Sequence, residues 1–195
     1  MHKHDRMFHH AHAHKLDDPE RRKWLPEKDV VERLALKPGA VVADIGVGTG
    51  YFALPMARAV SPDGRVYGVD MQPEMLAHLR ERIGDLPIEP VHGEATKTTL
   101  RDASVDVVLL ANVWHELDDL DAALAEMRRV LRPSGRIAIC DWRPDLPQNE
   151  DQPGPPLDHR VARDEVEERL RANGWRVESS AEVGVYHYMV LATPS

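Results

Sequence analysis

The stretch VVADIGVGTGYF, residues 41–52, decides the fold. An apolar run, Val41-Val42-Ala43, leads through Asp44-Ile45 into Gly46-x-Gly48-x-Gly50 and then an apolar-periodic segment. That is the pattern of a buried strand turning sharply into a helix. Glycines at this spacing let the backbone take left-handed conformations and allow a ligand to approach closely. The helix N-terminus behind them offers free N–H groups to a negatively charged group. A nucleotide or nucleoside is the implied ligand. The dinucleotide spacing G-x-G-x-x-G/A would place its third glycine on Tyr51, so nicotinamide dinucleotides fit poorly. A tight turn with no ligand is the plainer alternative, and the surrounding sequence decides between them.

Outward from this turn, strand and helix patterns alternate. The helix YFALPMARAV (51–60) is followed by the strand RVYGVD (65–70), the helix PEMLAHLRERIG (73–84) and the short strand IEPVHG (88–93). The strand VDVVLLAN (105–112), the helix LDDLDAALAEMRRVL (117–131), the turn RPSG (132–135) and the strand RIAICDW (136–142) come next. Near-continuous apolar strands such as VDVVLL and RIAIC are what a parallel sheet covered by helices on both faces requires. A proline-rich polar stretch, residues 143–160, reads as a long loop. The helix VARDEVEERLRAN, a stop at Gly174 and two strands around WRVESSAEV and VYHYMVLAT complete the pattern.

At 195 residues the chain suits one domain with a real core, here residues 26–195, preceded by a histidine-rich segment, residues 1–25. No apolar stretch is long enough to span a membrane and the polar start lacks a signal-peptide core, so a cytoplasmic location is expected. A single cysteine, Cys140, excludes an internal disulfide framework and any mechanism needing several protein thiols. The formal charge of −8 argues against nucleic acid as partner, since chains that track phosphates usually carry a basic surface.

Acidic residues recur at strand ends. Asp70 closes VYGVD, where a carboxylate can accept from both hydroxyls of a ribose, and Glu94-Ala95 follows the third strand on the same sheet edge. Taken singly, Asp44 can orient the loop backbone, Asp70 can cap the next helix and Asn112 can be a turn residue. Together, D-I-G-V-G-T-G, V-D-M-Q-P-E-M-L, G-E-A, A-N-V-W-H-E-L and V-L-R-P-S-G-R resemble, in order and spacing, the class I S-adenosylmethionine-dependent methyltransferases, in particular the type 11 group that includes quinone-biosynthesis enzymes. The resemblance runs over about residues 26–192.

It implies an α/β, Rossmann-like doubly wound seven-stranded sheet of order 3-2-1-4-5-7-6, last strand antiparallel, helices on both faces. It also implies cofactor roles. Gly46, Gly48 and Gly50 would form the floor under the methionine moiety, with Asp44 at its amino end. Asp70 would hold the ribose hydroxyls and Met71 would pack on adenine. Glu94, where the family more often has Asp, would accept from the adenine amino group with help from the Ala95 backbone. Asn112 would lie near the sulfonium. The expected activity is methyl transfer from S-adenosylmethionine to a small-molecule acceptor, yielding S-adenosylhomocysteine and needing no metal. The alternative is a non-catalytic S-adenosylmethionine-binding regulator responsive to metal through its histidines.

Methyl transfer to a nucleophile is an in-line displacement, so the protein mainly aligns the acceptor and excludes water. If a proton must leave, His115 and Glu116 after the fourth strand are the candidate bases, with helix capping as the plainer role. Trp114, Trp142, Tyr186 and Tyr188 can line an acceptor pocket or belong to core and rim. Asp141 and His159 flank the proline-rich loop. Cys140 sits in an apolar strand and reads as a buried hydrophobe. The histidines His2, His4, His9, His10, His12 and His14 admit three readings: a solvated tail, a lid over the cofactor crevice together with Arg21, Arg22 and Trp24, or a metal site. His10, His12 and His14 would align on an extended chain, and His10 and His14 on a helix.

Overall fold

The structure, a computed structural model, describes residues 8–146 and 153–195. His2 and His4 lie outside the described residues, as does the middle of the proline-rich loop. Seven strands form one sheet: β1 Val41–Ile45, β2 Arg65–Asp70, β3 Ile88–His92, β4 Val105–Ala111, β5 Leu131–Trp142, β6 Trp175–Val183 and β7 His187–Pro194. Their order is β3-β2-β1-β4-β5-β7-β6. The first five pair in parallel, while β7 runs antiparallel to both β5 and β6, as expected from the resemblance. The helices are α1 Arg21–Trp24, α2 Glu27–Arg33, α3 Ala53–Val60, α4 Pro73–Arg82, α5 Leu120–Val130 and α6 Arg163–Ala172.

The period-2 alternation of β1 sends Val42 to one face and Ala43 and Ile45 to the other. Val42 joins Leu25, Met56, Leu79 and Leu109 under α2, α3 and α4. Ala43 and Ile45 join Leu110, Leu124, Met127, Val166 and Leu170 under α5 and α6. Both sheet faces are therefore dry, which explains why the central strands read as apolar runs. Each fully buried Leu or Val contributes about 1.5–3 kcal/mol relative to exposure.

The turn at 132–135 lies inside β5: between Val105↔Leu131 and Val107↔Arg136, one residue of β4 faces four of β5. Asp106 alone stands against Arg132-Pro133-Ser134-Gly135, which bulges out of the ladder, and the strand resumes where the apolar run RIAIC begins.

Strand order reverses at β1, which pairs with β2 on one side and β4 on the other. In sheets of this kind ligands bind outside the carboxyl ends of the strands at that switch point. Among the described residues no helix is long and apolar enough to cross a membrane.

Candidate active site

The carboxyl end of β1 turns through Gly46, Gly48 and Gly50 with φ of +71°, +53° and +92°, conformations that L side chains rarely adopt. The amides of Gly46 and Val47 donate to the Val69 carbonyl at 2.8 and 3.0 Å, tying the turn to β2. Space is also short, since a Cβ on Gly46 would stand 2.4 Å from Val113 Cγ2 and one on Gly48 3.0 Å from Leu16 Cδ1.

At the end of β2, Asp70 Oδ2 accepts from the Gly48 amide and Oδ1 from the Gln72 amide, each at 2.9 Å. The carboxylate therefore braces the glycine turn and starts α4, while each oxygen keeps a lone pair for a further donor. Burial pushes its pKa up and the amides of Gln72 and Gly48 work against that. Asp44 is only 2% exposed and has no ion-pair partner among the described residues. Burial, then the charge of Asp70, push it up to about 8 against the weaker pull of Arg21 and the Ala53 amide.

Met71 is 44% exposed, an unusual position for a large apolar side chain, and the chain there is held from β3 by His92 Nε2 and the Met71 carbonyl at 3.1 Å. Glu94 and Ala95 follow β3 in a small turn closed by the Glu94–Lys97 bridge, Glu94 exposed and Ala95 half-buried. Asn112 follows β4 with φ of +60°; its amide donates to the Cys140 carbonyl at 2.8 Å and its Oδ1 lies 2.9 Å from His187 Nε2. All nine candidate cofactor positions thus lie at the carboxyl ends of β1, β2, β3 and β4, on one edge of the sheet.

The segment WHE, Trp114–Glu116, forms a 3-10 turn just beyond Asn112. His115 is buried, and its Nδ1 lies 2.7 Å from Asp141 Oδ1 at the end of β5. Asp141, fully buried, also accepts from the backbone amides of His115 and Trp142. Hydrogen bonding at Nδ1 leaves His115 Nε2 as the lone-pair nitrogen, 3.8 Å from Glu116 Oε1. Burial alone would lower the His115 pKa, but the charge and hydrogen bond of Asp141, with Glu116 behind them, raise it above the ordinary value. Burial pushes Glu116 up to about 7, His115 and the Phe8 amide opposing, Asp141 and Asp70 adding to it. His115 packs in the interior rather than capping a helix; the cap of α5 is Asp119, which accepts from Ala122.

The N-terminal segment packs on this edge. His10–Asp17 forms a 3-10 helix. Phe8 donates its amide to Glu116 Oε1 at 3.1 Å, and Gln72 accepts from His10 and donates to the Phe8 carbonyl. Leu16 lies over Gly48, while Asp17 accepts from Thr49 Oγ1 at 2.8 Å and pairs with Arg82. A group of three or more His, Cys, Asp or Glu set to hold a metal is absent among the described residues. Behind the segment, α1 brings Arg21 inward, 6% exposed, its guanidinium 4.0 Å from the Tyr51 ring centroid and its Nε without a partner. Arg22 instead points outward and pairs with Glu27.

Of the aromatic candidates, Trp142 and Tyr186 join Trp24 and His187 in one cluster. Trp114 and Tyr188 are core, Tyr188 anchoring its hydroxyl on the Val161 carbonyl. His159 sits, half-buried, in a 3-10 turn after the loop. Cys140 is buried in β5, where burial pushes its thiol pKa up and keeps it unreactive. Sequence reading passes over four features that the fold reveals: Asp141 as the partner of His115, the Asp17–Arg82 clamp, the buried His187 and the buried Arg160. Only the first has a signal, because β4 and β5 pair in parallel with Ala111 opposite Cys140, so residues just past both strands must meet.

The methyltransferase domain family, type 11, matches residues 43–139. A solved S-adenosylmethionine-dependent methyltransferase from Aquifex aeolicus is 33% identical with a TM-score of 0.88, covering 95% of this chain and 98% of that one. Among curated relatives, an arsenite methyltransferase of Halobacterium salinarum is 39% identical over 110 residues, 55% of this chain and 28% of that protein. A demethylmenaquinone methyltransferase of Listeria welshimeri is 31% identical over 129 residues, 64% of this chain and 54% of that protein. The chain spans only about a quarter to a half of the length of these curated relatives. With the glycine turn, the strand-end carboxylates and the whole-chain match to the Aquifex aeolicus structure in agreement, the chain belongs to the class I S-adenosylmethionine-dependent methyltransferases of the type 11 group.

Proposed function

We propose that this chain transfers a methyl group from S-adenosylmethionine to a small-molecule acceptor, with His115 as the proton-accepting base and residues 8–18 as a lid. The observation that carries the reading is Asp44, a buried carboxylate without a cation partner at the foot of the glycine turn. Ionised, such a buried carboxylate is costly, so Asp44 keeps its proton near neutral pH until a cationic ligand group meets it. S-adenosylmethionine brings an ammonium, a sulfonium, a carboxylate, a ribose and an adenine, and the residues present fit each. Asp44 would take the ammonium and Arg21, with its unpartnered Nε, the carboxylate. Asp70 has lone pairs left for ribose hydroxyls, and the exposed Met71 offers apolar surface to adenine. Glu94 and the Ala95 backbone would meet the adenine edge, with Gly46, Gly48, Gly50 and Asn112 beneath the methionine portion.

When bound, the cofactor supplies an electrophilic methyl: the acceptor's lone pair forms the new bond as the C–S pair returns to sulfur. Where the acceptor carries a proton, His115 Nε2 takes it, and Asp141 holds the ring in the required tautomer and favours the imidazolium that results. Glu116, 3.8 Å away, adds to that stabilisation once ionised. The lid excludes water through Leu16 and the clasps from Phe8 to Glu116 and from Asp17 to Thr49 and Arg82. Two curated relatives are named for small acceptors, which supports that substrate class.

Calorimetric titration with S-adenosylmethionine and S-adenosylhomocysteine tests the cofactor reading: binding is expected, and is lost in Asp70→Ala. Failure of both compounds to bind the intact chain would overturn it. Methyl transfer to some member of a metabolite panel, abolished by Asp70→Ala, then tests the activity.

A further inference from the structure

Arg160 sits at the end of the proline-rich loop, just before α6, and is 6% exposed. Its Nε donates to the Pro155 carbonyl at 3.0 Å and its Nη1 to the Arg143 carbonyl at 3.1 Å, which fixes the plane of the guanidinium. Its Nη2 is buried and has no partner among the described residues. Among the described residues no carboxylate stands within ion-pairing distance. Two neutral carbonyls do not neutralise a buried cation, and an unpaired buried charge is strongly disfavoured. Asp141 acts on Arg160 only from beyond contact, because its oxygens are committed to His115 and to the Trp142 amide.

The surroundings place this cation beside the reacting region. The Arg160 guanidinium lies 5.4 Å from the centroid of Trp142, whose ring is 4.1 Å from that of His187. Trp24 stacks on His187 at 5.7 Å, nearly parallel at 8°, and its ring also lies 5.3 Å from that of Trp142, so the three rings pack as a triangle. His187 reaches Asn112 through Nε2, and its Nδ1 is a second buried polar atom without a partner. Burial, with Arg21, Arg160 and His115 adding positive charge nearby, keeps His187 neutral. With Nε2 donating to Asn112 Oδ1, Nδ1 is a lone pair waiting for an O–H or N–H.

We infer that Arg160 is the anion-binding residue of the acceptor subsite, and that the acceptor is a flat, hydroxylated carboxylic acid. The carboxylate pairs with the unpartnered Nη2 of Arg160, the skeleton lies along the Trp24, His187 and Trp142 rings, and a hydroxyl donates to His187 Nδ1. This rests on the methyltransferase reading and adds its substrate class. Planar guanidinium is the side chain best suited to holding a carboxylate in one orientation.

The test uses the full chain saturated with S-adenosylhomocysteine and a set of hydroxybenzoates, hydroxycinnamates and hydroxylated heteroaryl carboxylates, each paired with its primary amide. At least one acid is expected to bind ten times or more tightly than its amide. Arg160→Gln is expected to erase that preference while S-adenosylhomocysteine affinity stays unchanged, and Arg160→Lys to keep part of it. Should no acid bind, should amides bind as well as acids, or should Arg160→Gln retain the preference, the inference is overturned. If Arg160→Gln fails to fold, the acid-to-amide ratio in the intact chain and in Arg160→Lys decides. Lack of S-adenosylhomocysteine binding would instead sink the cofactor reading, so the two failures are distinct.

Discussion

Binding of S-adenosylmethionine should release protons, chiefly from Asp44 and Glu116. Burial pushes Asp44 up to about 8 and Glu116 up to about 7, so without ligand both hold protons at neutral pH. A bound ammonium and sulfonium favour the ionised forms and would bring both groups toward the ordinary carboxylate range. At pH 7 Asp44 would then give up about 0.9 and Glu116 about 0.5 of a proton, together about 1.4, rising to about 1.9 at pH 6. The sign follows from linkage: the free protein binds more protons than the complex, so affinity rises with pH. Between pH 6 and 7.5 the gain would be on the order of a hundredfold, and the range stops there because the ligand's own amine titrates near 8. Calorimetry in buffers of different ionisation enthalpy measures the release directly. Asp44→Asn should remove the larger share and Glu116→Gln the smaller. S-adenosylhomocysteine, which has the ammonium but no sulfonium, should release the Asp44 share and less of the other. Release near zero at both pH 6 and 7, or release unchanged in Asp44→Asn, would refute the charge logic of the site.

Asp141→Asn should lower kcat by about a hundredfold or more, the usual scale of general-base catalysis, and shift the acid limb of the pH–rate profile down. The direction follows because Asp141 raises the His115 pKa against burial; an unmoved limb would show that His115 is not the base. Removing residues 1–17 should speed release of bound S-adenosylhomocysteine in stopped-flow, since the contacts of Leu16, Phe8 and Asp17 go with the segment; an unchanged rate would deny it a lid role. Gly48→Ala should weaken cofactor binding and cost about 1–2 kcal/mol of stability, because φ is +53° and the new Cβ meets Leu16, as urea unfolding would show. Away from the site, Glu126 accepts from the Thr98 amide and hydroxyl and pairs with Arg129, which hold its carboxyl down at about 2. That contribution to stability is present above the unfolded carboxylate pKa and is lost as pH falls toward 2, so Glu126→Gln should narrow the difference in melting temperature between pH 6 and pH 3.

The parts of this molecule legible in its sequence are those set by local periodicity. The glycine turn at 46–50, the alternation of apolar strands with helices and the acidic strand ends each depend on a few neighbouring residues, and all appear where expected. Convergence is harder to read. His115 and Asp141 lie 26 positions apart and meet only because β4 and β5 are parallel neighbours in register, a relation that the strand order contains but single motifs do not. Arg160 follows a loop whose path no periodicity encodes, and Leu16 reaches Gly48 across 32 positions through a 3-10 helix of alternating histidine and alanine. The histidines drew attention by composition, yet in this segment Leu16, Asp17 and the backbone at Phe8 and His10 make the contacts that matter to the crevice.

Two buried groups of the site ionise to opposite signs in different places. Among the described residues, the buried Asp44 carboxyl at the foot of the glycine turn, protonated near neutral pH, has no ion-pair partner, and neither has the buried Arg160 guanidinium along the aromatic wall beyond Asn112. Arg160 bears the cost of a buried charge outright, and Asp44 would bear it on ionising. Two ligands of complementary charge resolve both costs, a cationic methyl donor on one side and an anionic acceptor on the other. Filling either half changes the field felt by the other: a sulfonium near Asn112 attracts a carboxylate-bearing nucleophile, and an anionic acceptor favours the positively charged donor over the neutral product. Such coupling would bind the reactive pair together and loosen its hold once the sulfonium charge is gone, so the same uncompensated residues that weaken the empty protein would drive both assembly of the reactants and release of the product.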